Sequence, residues 1–300
     1  MKKTLLLLLF IPLVFSCSSD ENDENEVPIE TFLYLGSNGV TVKAKDNAVV
    51  GETYLLNGVA YKVIDRGILN TMITNGDNLS RICTSRVVDM SHLFLNQTSF
   101  NQNISTWDTS NVTNMLYLFA KAYEFNGDIS NWDTSSVTNM EALFYWALKF
   151  NGDISKWNVS NVTSMGAMFI QAESFNRDIS NWNVSNVTNM GSMFDSGIFN
   201  QPIGKWDVSK VERMDRMFST RIGSTNPFTG TIFFINPFNQ DIGDWNVSNV
   251  TSMDFMFEDS EFNQDISRWC VSKISSEPQS FSNKSPLSQN NSPKWGTCPD

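Results

Sequence analysis

Histidine is nearly absent from this chain of 300 residues, because His92 is the only one. No second histidine or nearby cysteine could join His92 in a metal site or in a catalytic triad with a serine and an aspartate. The sequence therefore predicts a protein that is not an enzyme, binds no metal and needs no cofactor. His92 itself is expected at the surface.

Basic side chains are also scarce. The chain has 21 lysines and arginines against 32 aspartates and glutamates, which gives a formal charge of −11. Without residues 1–16, which carry Lys2 and Lys3, 19 basic side chains remain and the charge is −13. This balance argues against nucleic acid as a partner and against electrostatic docking to anionic lipid. A charge of this sign mostly keeps an exposed surface soluble.

Long apolar runs are missing except at the amino terminus, which reads MKKTLLLLLFIPLVFSC. That run is too short for a comfortable transmembrane helix, and a small residue stands directly before Cys17. The segment resembles a bacterial lipoprotein signal peptide with its lipobox, which implies cleavage of residues 1–16 and lipid on Cys17. The alternative is an ordinary cleaved secretory signal.

The segment after Cys17 is acidic and has no aromatic residue, so residues 17–30 are predicted to be a disordered tether. Its acids resemble the export signals of bacteroidete lipoproteins. That resemblance implies a lipid-anchored protein on the outer face of the outer membrane, which contacts the membrane through its lipid.

Tryptophan recurs at a regular interval in the rest of the chain. The unit FNGDISNWDTSSVTNM at Phe125 returns as FNGDISKWNVSNVTSM at Phe150 and as FNRDISNWNVSNVTNM at Phe175. Its tryptophans lie 24 or 25 residues apart, with one longer interval: Trp107, Trp132, Trp157, Trp182, Trp206, Trp245 and Trp269. A propeller blade needs about 40 residues, so this period predicts a solenoid across residues 84–281.

One repeat has room for two short strands and a return segment. The apolar spacing predicts strands at residues 129–134 and 137–140 and a single helical turn at 141–147. Stacking of such coils would give an α/β repeat solenoid with short parallel strands.

Three residue types recur at the repeat period and are predicted to form columns inside the stack. A ligand groove is the alternative interpretation of these stripes. The asparagine after each repeated phenylalanine is predicted to satisfy backbone groups of adjacent coils. The columns are the tryptophans above, the methionines Met115, Met140, Met165, Met190, Met214 and Met253, and the phenylalanines Phe119, Phe144, Phe169, Phe194, Phe218 and Phe257.

Residues 31–83 differ from the repeat and are predicted to be a β-rich cap over the apolar end of the stack. Strands are expected at 32–35, 40–44, 52–56 and 59–64, with a hairpin turn at Asn57 and Gly58 and one short helix at 66–74. At the other end, residues 282–300 are expected to form a capping tail.

Cysteine usage fits an exported protein with one disulfide. Cys270 lies in the last recognisable coil and Cys298 in the tail, so a bond between them would pin the tail across the end of the stack. Cys83 would remain as a buried thiol.

The repeat resembles that of the BspA-like leucine-rich-repeat surface proteins of bacteria, in particular the branch with the unit FNxDISxWDVSNVTxMxxMF. The resemblance spans roughly residues 84–281 and includes CTSRVVDM before the stack and WGTCP at its end. It implies a right-handed solenoid like that of leucine-rich repeats, carried on a lipoprotein that acts as an adhesin or interaction protein. Pro202, residues 210–213 and Cys270 depart from the unit and put the coil geometry near residues 200–216 in doubt.

An insertion interrupts the repeat at residues 219–237, where Phe238 follows Phe218 by 20 positions instead of the usual five or six. Insertions in solenoids often lie on the binding face. Phe228, Phe233 and Phe234 could contact a partner there, or they could fold back against the stack.

Positions that vary between coils give a second candidate surface. Aromatic side chains there could contact protein or sugar at low entropic cost, although ordinary solvated surface is the alternative. The residues are Tyr117, Tyr123, Tyr145, Trp146 and Phe255.

A column of aspartates does not change the prediction of a non-enzyme. Asp128, Asp153, Asp178, Asp241 and Asp265 repeat along the stack, whereas a glycosidase needs two carboxyl groups in one cleft. Calcium binding is an alternative for this column, but local turn bonding explains it better, since other coils have Asn103 and Pro202 there.

The sequence therefore predicts a surface lipoprotein that binds a protein or host surface as an adhesin does. Two alternatives remain open, namely capture of glycan or nutrient at the outer membrane and a structural role in a surface layer.

Overall fold

A computed structural model describes residues 31–220, 230 and 235–299. The predicted signal peptide, the predicted lipidation site Cys17 and the predicted tether lie outside the described residues. So do Phe228, Phe233 and Phe234 of the insertion.

The amino-terminal region forms two small sheets and one helix. Strand β1 (Leu33–Leu35) pairs antiparallel with β2 (Val42–Ala44), and β3 (Thr53–Leu56) pairs antiparallel with β4 (Val59–Val63). Strand β5 (Ile82–Cys83) adds to β4 in parallel. Asn57 and Gly58 both have positive φ, 51° and 78°, as a type I′ hairpin turn requires. The strands predicted in this region are thus confirmed.

Helix α1 (Arg66–Asn75) covers the first repeat. The Asp65 carboxylate accepts a hydrogen bond from the Ile68 backbone N–H at 2.9 Å, and the helix ends at Gly76 with φ 72°. Leu69 is fully buried in the same hydrophobic core as the repeats. The helix therefore closes the apolar end of the stack, as a cap must.

Each repeat, called a coil from here on, bonds to the next through its backbone. Isolated parallel bridges run from Asp89 through Asn114, Asn139, Ser164 and Asn189 to Arg213 and Ser252. Backbone N–H groups of one coil also donate to carbonyl oxygens of the next at alternate residues. Between two such coils the pairs are Met115 to Asn139, Tyr117 to Glu141, Phe119 to Leu143 and Lys121 to Tyr145.

This ladder replaces the local elements predicted for the repeat. The predicted strands at 129–134 and 137–140 are wrong, because the only pairing there is a single-residue bridge at Asn139. The predicted helical turn at 141–147 is also wrong. Successive β-turns run there instead, with Ala142 (φ 52°) and Trp146 (φ 58°) in the left-handed region. N–H groups that bond to the next coil alternate with N–H groups that close turns within the coil, as Tyr145 does to the Ala142 carbonyl oxygen at 3.2 Å, so the chain forms neither a helix nor a strand.

The predicted columns form the interior and are not a ligand groove. All seven repeated tryptophans are at most 4% exposed, and the repeated methionines and phenylalanines are buried throughout. The rings of Trp132 and Trp157 stack at 6.5 Å with 2° between their planes. Each indole N–H also donates to a carbonyl of the preceding coil, as Trp132 does to Ile104 at 3.2 Å. The stack therefore buries its indoles without leaving their polar atoms unpaired.

The asparagine column makes the predicted bonds between coils. The Asn101 carbonyl Oδ1 accepts from the Asn126 backbone N–H at 3.0 Å, and Asn126 accepts from Asn151 in the same way at 2.9 Å. These asparagines are exposed or half-buried, so the ladder lies at the surface of the stack.

The stack continues past the insertion. Arg213 bridges to Ser252 across it, and the fully buried Asn236 donates to the Phe194 carbonyl oxygen at 2.9 Å. The bridge from Asn189 to Arg213 also shows that the coil near residues 200–216 keeps the common geometry.

The last coil ends the ring stack. Phe281 meets Phe257 edge-on, with 86° between the rings, and Trp295 of the tail packs edge-on against Phe281. Cys270 and Cys298 form a disulfide, and Cys83 is a free, buried thiol. Within the described residues the tail contains one 3-10 helix, Gln289–Asn291.

Candidate functional site

Four aromatic side chains from three successive coils meet at the surface. We call His92, Tyr117, Tyr145 and Trp146 the surface aromatic cluster. The rings of His92 and Tyr117 stack at 5.4 Å with 22° between planes. Tyr145 meets Tyr117 edge-on at 6.3 Å and lies 6.3 Å from the Trp146 ring. The repeat thus brings together side chains that lie 25 or more residues apart.

The cluster is packed rather than open. Tyr117, Tyr145 and Trp146 are half-buried and His92 is exposed, whereas Ala142, which occupies the Tyr117 position in the next coil, is fully buried. The neighbouring Tyr123 is only 9% exposed, and burial, together with the nearby Tyr145, raises its pKa. The predicted Tyr123 therefore supports the cluster from below and offers little area to a partner.

The ladder between coils fixes the backbone that carries the cluster rings. Tyr117 (φ 54°) and Trp146 (φ 58°) are bulky residues in the left-handed region, which is costly for any residue with a side chain. Their N–H groups donate to the next coil, from Tyr117 to Glu141 at 3.0 Å and from Trp146 to Ile170 at 2.7 Å. The backbone that carries these rings is therefore held by the ladder, and a partner would not need to order it.

The orientation of the rings limits what they can bind. His92 covers one face of Tyr117, so that face is not free for a ligand. A sugar stacks on a free ring face, whereas a protein side chain can pack against ring edges and bond to a tyrosine hydroxyl. The arrangement therefore suits a protein surface better than a pyranose ring.

Phe255, the fifth predicted surface aromatic, does not join the cluster. The guanidinium carbon of Arg216 lies 3.9 Å from the centre of its ring, and Arg216 also pairs with Glu258 at 3.8 Å. No ring contact connects Phe255 to the cluster among the described residues. An arginine of the chain itself already covers this ring.

A buried polar group that sequence reasoning missed lies between β2 and the first coils. The ammonium of Lys43 lies 3.2 Å from the Asp108 carboxylate and donates to the Ser110 hydroxyl at 2.9 Å. The hydroxyls of Ser85 and Ser110 both donate to Asp108 at 2.6 Å. No local signal could reveal this group, since Lys43 and Ser110 are 67 residues apart.

This polar group resembles a serine–lysine pair, but its hydrogen bonds do not fit one. A general base accepts the proton of the hydroxyl that it activates. Here the Lys43 ammonium donates to Ser110, and the Ser110 proton bonds to Asp108. The group therefore ties β2 to the stack.

Metal and membrane features were also sought in the part of the chain that the structure describes. No three histidine, cysteine, aspartate or glutamate side chains come together there as metal ligands. None of the helices there is long and apolar enough to cross a membrane.

Comparison with known proteins places the repeat in a family. The family model described as "Mycoplasma protein of unknown function, DUF285" matches residues 67–173, 124–229 and 229–298. Neither the curated proteins nor the solved structures gave a match. Because the three matches together span residues 67–298, which is well over half of the chain, the chain belongs to the DUF285 family, a family of BspA-like repeat domains.

Proposed function

We propose that this protein is a bacterial surface lipoprotein that uses its stack of coils to bind another protein, as an adhesin does. In this proposal Cys17 carries the lipid, and the stack faces outward from the outer membrane. The stack is a right-handed solenoid like that of leucine-rich repeats, from the branch of BspA-like proteins with the FNxDISxWDVSNVTxMxxMF unit. It binds without catalysis or a cofactor.

The surface aromatic cluster carries this proposal. Tyrosine and tryptophan dominate the energetics of protein interfaces because they combine a large apolar body with a polar tip. The fold does not require these rings, since the coil at residues 159–183 has Ala167, Ile170 and Gln171 at the positions of Tyr117, Tyr145 and Trp146. The fold therefore does not account for the presence of these three rings in neighbouring coils.

A protein partner is favoured over a glycan at this cluster. The stacked His92 occupies one face of Tyr117 that would otherwise be open to a sugar. The formal charge of −11 also disfavours nucleic acid. Capture of glycan and a structural role in a surface layer are the alternatives that the test must separate from protein binding.

The test exchanges the cluster for residues that the repeat already tolerates. The triple variant Tyr117→Ala, Tyr145→Ile, Trp146→Gln copies the coil at 159–183, so the stack should fold. The full chain would be presented to an array of purified host extracellular matrix and plasma proteins and to a glycan array. We expect capture of a protein by the wild type and at least about tenfold weaker capture by the variant.

A matched control is Asn161→Ser, which copies Ser136 of the preceding coil on another part of the surface. It should bind as the wild type does. Capture of glycans alone would contradict the proposal in favour of glycan uptake, and capture of nothing would favour a structural role.

The lipid anchor has its own test. Cells that express the full chain would be labelled with palmitate, with Cys17→Ser as the variant. The wild type should carry label and be cut by protease added to intact cells, whereas the variant should lack label. Label that persists in Cys17→Ser would disprove anchoring at this residue.

A further inference from the structure

A surface pocket lies where one coil departs from the repeat. It has a volume of about 310 Å³, and its lining includes Asn181, Pro202, Gly204, Lys205, Gln240 and Asp241. These residues come from three successive coils. The pocket uses a different part of the repeat from the surface aromatic cluster.

This coil differs from most others at two positions beside the pocket. In four other coils an aspartate accepts the N–H of the serine two residues later, as Asp178 does from Ser180 at 2.9 Å. Here Pro202 replaces the aspartate and Gly204 replaces the serine, so a carboxylate and a hydroxyl are both missing. A β-carbon at Gly204 would lie 2.3 Å from the Asp241 carbonyl oxygen, so the backbone of the next coil packs directly against this glycine.

The pocket has one positively charged and one negatively charged hydrogen-bonding group. Neither Lys205 nor Asp241 forms an ion pair with any residue that the structure describes. Asp241 uses one oxygen to accept the Gly243 N–H at 3.0 Å, which leaves its second oxygen for another donor. The Gln240 amide is fixed, because its nitrogen donates to the Asn200 side chain at 2.8 Å. A cation, a carboxylate and positioned amides therefore surround the apolar ring of Pro202.

We infer that this pocket binds a neutral hexose unit of a glycan. Adjacent sugar hydroxyls can donate to the Asp241 carboxylate while they accept from Lys205 and Asn181, and Pro202 offers an apolar surface to the C–H face of the ring. Lys205 and Asp241 carry opposite charges, so the lining has no net charge that would favour an acidic or a basic ligand over a neutral one. The volume suits one or two hexose units and is too small for a protein loop.

This inference stands apart from the proposed function. The protein-binding cluster and the hexose pocket share no residue, so variants of one should leave the other unaffected. Loss of protein capture in the cluster variant would say nothing about the pocket.

Saturation-transfer difference NMR on the full chain tests the inference, with the methyl glycosides of glucose, galactose and mannose as probes and glucuronate as the acidic comparison. We expect saturation transfer to at least one neutral glycoside and at least about tenfold weaker binding in Lys205→Met and in Asp241→Asn. Pro202→Asp restores the residue of the other coils and should abolish binding by filling the pocket. Lys156→Met removes the lysine at the same position of an ordinary coil and should bind as the wild type does.

Two results would overturn the inference. One is the absence of saturation transfer to every neutral glycoside with the wild type. The other is unchanged binding in Pro202→Asp and Lys205→Met, both folded by circular dichroism, because the sugar would then lie elsewhere.

Discussion

The guanidinium group of Arg66 donates a hydrogen bond to the carbonyl oxygen of Ser91 at 2.6 Å. Its other terminal nitrogen donates to the Asp89 carbonyl oxygen at 2.5 Å. In the next coil the equivalent carbonyls of Asn114 and Leu116 accept from Met90 and His92 of the preceding coil. The first coil has no preceding coil, so Arg66 of α1 supplies the missing donors.

Replacement of Arg66 should therefore destabilise the whole stack. Arg66→Met leaves two carbonyl groups without their charged donor, and we expect the free energy of unfolding to fall by about 2 kcal/mol. Arg66→Lys should recover only part of the loss, because an ammonium cannot donate in the fork geometry of a guanidinium. Denaturant unfolding measures both. The exposed Arg81, as Arg81→Met, is the control, and equal midpoints for Arg66→Met and the wild type would contradict the role.

Replacement by glycine should change stability in opposite directions at two alanines of one coil, because only one of them has a left-handed backbone. Ala167 has φ 57°, whereas Ala172 in the same coil does not have a positive φ. Ala167→Gly should raise the free energy of unfolding by up to about 1 kcal/mol, because glycine adopts this conformation without strain. Ala172→Gly should lower it by about 1 kcal/mol, since a buried methyl group is lost without relief of strain. Destabilisation by both changes would show that the left-handed positions carry no strain.

Much of the architecture could be predicted because its signals are local or periodic. The hairpin at Asn57 and Gly58 and the helix start at Asp65 depend on neighbouring residues, and the tryptophan period reveals the interior columns. The course of the chain within a coil could not be predicted. The turns at Ala142 and Trp146 depend on bonds within the coil that alternate with bonds to the next coil, and no apolar spacing within one repeat reports that alternation.

The candidate site shows the same limit. Comparison of equivalent positions identified Tyr117, Tyr145 and Trp146, but the stacking of His92 on Tyr117 depends on how coils align. The position of the Arg216 guanidinium over the Phe255 ring likewise depends on how two coils align. The bond from Lys43 to Asp108 joins the cap to the repeat, so no pattern within either one contains it.

Asp108 should make stability depend on pH in the acidic range. Burial raises the pKa of this carboxyl, but hydrogen bonds from Ser110 and Ser85 and the charge of Lys43 outweigh burial, so the pKa lies below its usual value of 3.8. A lowered pKa means that the stabilisation is fully present above 3.8 and is lost as the pH falls through the folded-state value.

Asp108→Asn should remove that part of the pH dependence and should cost about 2 kcal/mol at neutral pH. The measurement is denaturant unfolding of both proteins from neutral pH to below 3.8. Asp133→Asn, at the equivalent but exposed position of the next coil, is the control and should change stability little. A constant difference between wild type and Asp108→Asn at every pH would refute the assignment.

The disulfide between Cys270 and Cys298 should stabilise the closing end of the stack. It joins residues 28 apart, so its loss should lower the free energy of unfolding by about 3 kcal/mol, mainly because the unfolded chain gains freedom. The native tail keeps other contacts, including the bond from the Val271 N–H to the Thr297 carbonyl oxygen at 2.9 Å.

The double variant Cys270→Ser, Cys298→Ser should therefore fold but exchange the Val271 and Gly296 amide hydrogens faster than the wild type. A thiol reductant should lower the unfolding midpoint of the wild type to that of the double variant and leave the variant unchanged, since Cys83, the other cysteine that the structure describes, is buried and forms no disulfide. If the reductant leaves the wild-type midpoint where it was, the bond does not hold the end of the stack together.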